Sequence, residues 1–383
     1  MRDGTDRGGE GLVADAVEPA GRRAAAVRAL ADRWTRVLTA PGTAPGSGGF
    51  ACSPAGLWLA LAAVAAGARG RTADELGALL GTSGPAAAPD VTEAARELAG
   101  TGASAVATGV WSRVAVREEY RAALPDIGFG PLDPAAVDAW VYAGTGGLIE
   151  RLPLRIGPGT LLALVNVIAL KADWEKPFDA AHTRDQPFAG ASGASRPVAT
   201  MHARVSVRDA WSVGAARVVE LRCRRGPDGR PPVRVRFVLG EPGAGAARVL
   251  PAGWAPKRAG TPLDADLLTV ALPRLALRTT LQVHEGLPAL GVRTALSDAA
   301  DFSGLSRTPL AVSEVVQETV VRIEEAGVEA AAVTAVSTRA GSARPTATRP
   351  LHLAFDRPFG LVVLAGDTDV PLFACWQAEA PDA

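Results

Sequence analysis

The chain has a single asparagine, Asn166, in 383 residues, and its only lysines are Lys171, Lys176 and Lys257. Alanine, glycine, proline and arginine fill their places, which reads as the coding bias of a GC-rich, bacterial type of genome. Against that bias, each rare residue that is kept carries information. Cysteine is also scarce. Cys52, Cys223 and Cys375 are odd in number and far apart, so no disulfide framework is implied and they read as small buried hydrophobes. Neither sign of charge is in excess, with 40 basic and 40 acidic side chains. That balance argues against nucleic acid and a membrane surface as partners. The longest apolar run, "GLWLALAAVAAGA", is too short to cross a bilayer. The opening "MRDGTDRGGEGLVADAVEPAGRR" has no apolar core of a secretory signal. A cytoplasmic location is therefore expected, with non-classical export as the other route.

Signatures of catalysis are missing as well. His182, His202, His284 and His352 are scattered without metal-ligand spacing, and no cofactor motif is present. There is no G-x-S-x-G elbow and no P-loop, and "GTGGLIERL" lacks the third glycine of a dinucleotide fingerprint. The carboxylate pairs Glu118–Glu119 and Glu324–Glu325 read as solvated faces. An enzyme is not expected.

With 48% hydrophobic residues the chain can bury a large core. Residues 1–22 are expected to be a disordered extension and 23–383 one domain. Helical periodicity runs through "AAAVRALADRWTRVLTA". Ser53-Pro54 opens a second helix, with serine as N-cap and proline in the first turn. "TADELGALLG" reads as a third, with Thr72 as N-cap, Glu75 three residues later and Gly81 as the stop. "LQVHEGLPALG" reads as a helix. "ASAVATGVWSRVAV" and the two-face apolar run "LLALVNVIALKADW" read as strands. So do "RVVELRC" and "VRVRFVLG", joined by a turn through Asp-Gly, and "VVQETVVRIEEAG". Helices early and strands late predict an α+β fold with large sheets.

Six ordered segments resemble the serpins. "SPAGLWLALAAVAAGARGRTADELGALLG" (53–81) is similar to the family's Ser-Pro segment. "LVNVIALKADWEKPFD" (164–179) is similar to its most diagnostic strand. "PVATMHA", "LGVRTALSDAADFSGLS", "AFDRPF" and "PLFACW" follow in order. The resemblance implies a single domain of three β-sheets and about eight or nine helices, with an exposed reactive-centre loop at about 325–353. It also implies an irreversible inhibitor of a serine protease. The protease is esterified to the cut loop, and the loop then enters the central sheet as a new strand. The other reading is a non-inhibitory binding protein, or a plain protease substrate, of the same fold. No cofactor or metal is implied, and the monomer is the expected state.

The resemblance gives each site residue its role. Glu325 and Gly327 would open the hinge, followed by Val328, Glu329, Ala330, Ala331, Ala332, Val333 and Thr334. Trp174 would stand at the breach, where the loop enters. Ser53, Asn166 and Gln317 would form the shutter beneath the sheet. Gln317 stands where the family has histidine, Gly56 where serine is common and Gly49 where asparagine is common, so a thinned network is expected. The scissile bond falls among Arg339, Ala340, Gly341, Ser342 and Arg344, which fits a trypsin-like or a subtilisin- or elastase-like protease. Strand alternation sets the physical requirement. From Val328, one face carries Ala330, Ala332 and Thr334 and has no charge. About fourteen inserted residues would span roughly 45 Å and gain on the order of 10 kcal/mol in ladder hydrogen bonds.

Overall fold

A computed structural model describes residues 19–41, 49–100, 104–152, 154, 156–157, 159–170, 172–225, 233–328 and 349–382. Among these residues the chain forms three sheets and nine α-helical segments, three of them single turns. The first helix, Pro19–Leu38, starts four residues before the expected domain boundary. Pro19 suits a first helical turn and the alanine-rich stretch behind it propagates.

The helix Pro54–Gly67 is buried on every side. This explains its uninterrupted apolar sequence, because a helix enclosed all round needs no polar face. It lies between the central sheet and the strand Pro371–Gln377. Ser53 caps it as expected, its Oγ accepting from Gly56 N at 3.0 Å. The third helix corrects the sequence reading. It runs Gly70–Leu80 with Arg69 at the N-cap position, so Thr72 lies inside it. Thr72 Oγ1 instead accepts from Asp301 N, and Glu75 from Arg293 N and Thr294 N. Both side chains serve a tertiary contact, not the helix end. "LQVHEGLPALG" is shorter as a helix than its pattern suggests: Gln282 ends a strand, and only Val283–Gly286 is α-helical before a 3₁₀ turn with Pro288.

The central sheet holds the site. Its order is Gly128–Pro131, Ser104–Ser112 (the Thr108 strand), Leu162–Leu170 (the Asn166 strand), Glu314–Ile323 (the Gln317 strand), Gly327–Val328 and Ala172–Asp173. Leu275–Gln282 pairs with the far side of the Gln317 strand. Chain directions matter here. The Thr108 strand is antiparallel to the Asn166 strand, and Leu275–Gln282 is antiparallel to the Gln317 strand. The two middle strands are parallel, from Glu314↔Ala163 to Val320↔Ala169. This central parallel seam is bonded slightly less favourably per residue than its antiparallel neighbours. The helix Pro134–Gly144, capped by Asp133, covers the outer face through Trp140, which packs edge-on to Trp111 at 5.4 Å. The sequence reading missed this helix.

Candidate functional site: a sheet seam, its clasp and a hinge

Just past the seam the chain turns on itself. Gly327–Val328 runs antiparallel to both flanking strands, with Val328 opposite Ile323 on one side and Ala172 on the other. Val328 is fully buried. The turn before it is hung on the segment that follows the Asn166 strand. Trp174 Nε1 donates to Glu324 O at 2.9 Å, Trp174 N to Ala326 O at 2.9 Å and Phe178 N to Glu325 O at 2.8 Å. Three successive carbonyls are thus held by one short stretch containing the rare-residue motif Trp174–Phe178. Gly327 is required by close approach, because a Cβ there would lie 2.3 Å from Ala172 O.

Glu325 is not a solvated carboxylate, as its pairing with Glu324 had suggested. Arg274 reaches it through Nη2 at 2.6 Å and Nε at 2.9 Å, and Thr183 donates at 2.5 Å. Burial opposes ionisation, but the hydrogen bonds from Arg274 and Thr183 outweigh it and hold this carboxyl below its ordinary value. Arg274 and Thr183 have no local sequence signal. Arg274 is a lone charge between two strands and Thr183 one of a polar run, and only the fold brings them to Glu325.

Lower in the seam, Ser53, Asn166 and Gln317 come together. The Gln317 side chain makes a two-way pair with the Ser53 backbone, accepting from N at 2.8 Å and donating to O at 2.9 Å. The same amide nitrogen donates to Asn166 Oδ1 at 2.9 Å, and Asn166 Nδ2 donates to Thr108 Oγ1 at 2.9 Å. Asn166 and Gln317 are direct register partners across the parallel seam, and Thr108 is the register partner of Asn166 on its other side. All four residues are buried. One continuous chain of amides and hydroxyls therefore clasps three strands to the buried helix. Parting the two middle strands would leave buried amide groups without partners, at about 1–3 kcal/mol each. The expectation of a thinned network is corrected. Gly56 leaves the space that Asn166 occupies, since a Cβ there would lie 2.2 Å from Asn166 Oδ1. Gly49 has φ +108° and a Cβ would meet Trp376 O. Both glycines fit their surroundings and neither interrupts the clasp. Thr108 was missed; its signal is a hydroxyl in the middle of a strand whose other hydroxyls, Ser104 and Ser112, lie at its ends.

Glu329, Ala330, Ala331, Ala332, Val333 and Thr334 lie outside the described residues, as do Arg339, Ala340, Gly341, Ser342 and Arg344. No cluster of three His, Cys, Asp or Glu able to hold a metal occurs among the described residues. The three cysteines are buried, and burial pushes the Cys52 and Cys223 thiols up to about 12, which disfavours the nucleophilic thiolate.

The family model described as Serpin (serine protease inhibitor) matches residues 42–376. Serpin-Z2B of Oryza sativa subsp. japonica is 31% identical over 370 residues, covering 84% of this chain and 89% of that protein. Alpha-1-antiproteinase 2 of Equus caballus is 30% identical over 263 residues, covering 67% of this chain but only 60% of that protein. Among solved structures, Arabidopsis AtSerpin1 in its native stressed conformation shares the fold with a TM-score of 0.77 at 20% identity, covering 94% of this chain and 98% of that one. With the family model spanning most of its length and the three-sheet architecture in place, the chain belongs to the serpin family.

Proposed function

We propose that this protein is a suicide-substrate inhibitor of a serine protease rather than an enzyme. The observation that carries the reading is the placement of Val328. It is already a rung between the two flanking strands, antiparallel to both, and the small-residue run follows it directly in sequence. A strand continuing from Val328 down the seam would replace one parallel ladder by two antiparallel ones. Insertion then needs no reversal of chain direction and no new register.

The chemistry is the protease's own. Its serine oxygen attacks a loop carbonyl, the peptide C–N bond breaks, and the leaving amine takes a proton from the protease. An ester now joins the two proteins. The freed loop enters the seam and drags the protease with it. Water no longer hydrolyses the ester once the protease site is distorted. Residues Arg339 to Arg344 offer either an arginine or small residues to the protease.

Incubation with trypsin, elastase and subtilisin, followed by a denaturing gel, tests this. A band at the combined mass that survives SDS is expected with at least one of them. Cleavage without such a band for all three overturns the reading and leaves a binding protein or substrate of the same fold. Mass spectrometry of the released C-terminal peptide identifies the bond.

A further inference from the structure

Beside the hinge, but on the second sheet, the strands Ala216–Arg222 and Arg234–Leu239 set like charges against each other. Arg234 is the register partner of Arg222, and Arg236 that of Glu220. Arginines directly opposed on adjacent strands repel unless an anion lies between them. Two of the carboxylates nearby, Glu220 and Asp369, are already committed. Glu220 binds Arg234 at 3.2 Å and Arg236 at 2.9 Å, and Asp369 binds the same two at 3.4 and 3.2 Å. Arg236 is fully buried, and its Nη1 donates to Gly253 O and Ala255 O. The side chains of Arg222 and Arg224 have no ion-pair partner among the described residues, and both are exposed.

These groups border a cavity of about 520 Å³, lined by the cations Arg222, Arg224, Arg225, Arg234 and Lys257. The carboxylates in the lining are Glu175, Asp367 and the already paired Glu220. The volume suits a small ligand. Arg222 and Arg224 are two apart in extended backbone and lie on one side, with Cys223 buried on the other. Lys257 also lines the cavity, its ammonium held over the Trp211 ring at 4.8 Å and donating to Arg208 O at 2.7 Å. Guanidiniums paired in this way match oxyanions with several charged oxygens.

The geometry points to an anion-binding site here, for a small polyvalent oxyanion such as a phosphate ester or a polycarboxylate. Its position couples it to the hinge. Arg224 N donates to Asp173 O at 2.7 Å and Glu175 N to Arg222 O at 2.9 Å, and Asp173 is the register partner of Gly327. A bound anion would therefore tie down the strand that borders the entry point of the loop. The binding itself does not rest on the inhibitory reading.

Calorimetric titration of the full chain at low ionic strength, with pyrophosphate in one arm and citrate in the other, tests the site. Saturable binding at one site is expected, weakened about tenfold or more by the double variant Arg222→Gln/Arg224→Gln. The variant Arg217→Gln, an exposed arginine at the far end of the same strand, should leave it unchanged. Tighter binding of pyrophosphate identifies a phosphorylated ligand, and tighter binding of citrate a polycarboxylate; either supports the site. No saturable binding of either probe overturns it. So does an affinity that the double variant leaves intact, or one that Arg217→Gln lowers equally.

Discussion

Arg274 and Glu325 form a two-pronged ion pair, with Nη2–Oε1 at 2.6 Å and Nε–Oε2 at 3.0 Å, and it anchors the residue from which the loop departs. Arg274 is the one residue between the strand Leu267–Pro273 and the central-sheet strand Leu275–Gln282, and Glu325 follows the Gln317 strand, so the pair fixes the crossover between two sheets beside the hinge. Replacing Arg274 by Ala leaves a largely buried carboxylate with Thr183 as its remaining side-chain donor. A loss of about 1–3 kcal/mol in denaturant unfolding is expected, with faster spontaneous conversion to a relaxed form. An unchanged unfolding midpoint would show that the anchor does not bear on stability.

The same anchor depends on pH. The folded-state value of Glu325 is depressed, so its contribution is fully present above the unfolded value of about 4.3. It is lost as pH falls through the lower folded value. Glu75, on the third helix, behaves likewise. Hydrogen bonds from Thr294 and Arg293 bring it down to about 2. Stability should be flat with respect to these two groups near neutrality and fall in acid. The variant Glu75→Gln should flatten part of the acid limb when melting temperature is followed against pH.

Gly327→Ala places a Cβ 2.3 Å from Ala172 O. Backbone cannot yield there as a side-chain tip can, so the rung at Val328 should be displaced. The expected cost is about 1–3 kcal/mol, read as a lower melting temperature and as greater protease access to the hinge.

Gly56→Ser restores the residue common in the family but collides with Asn166 in this chain, at 2.2 Å from Oδ1. A destabilisation of about 1–3 kcal/mol is expected. Combining it with Gln317→His tests whether glutamine and glycine are matched, through a double-mutant cycle whose coupling should depart from zero.

Thr334→Arg puts a charge on the face that would enter the seam. In the gel assay it should turn complex formation into simple cleavage. Retained complex formation would show that the strand phase starting at Val328 is wrong.

Much of this was legible in the sequence because the informative residues are rare ones. Asn166 stands out in a chain that otherwise lacks asparagine, and the clasp is built around it. Trp174 and Phe178 lie in the most specific motif and support the hinge. What stayed hidden depends on contacts far apart in sequence. Thr72 and Glu75 have the spacing of a capping box, yet both bind residues near 294–301, since Gly70 had already begun the helix. Gly56 and Gly49 read as losses because a sequence shows a missing side chain but not the atom that fills its space.

Under the proposed function, the parallel seam would make the molecule directional in time. A strand entering from Val328 meets its partners one rung after another, so each step forward rests on those already made. Leaving again would require many of them to be undone before the seam could close. Advance is incremental and retreat is collective, so a molecule that has taken up its strand keeps a permanent record of a single event. Under the proposed function, the supply of such a protein would be consumed by use and set by how fast new chains are made.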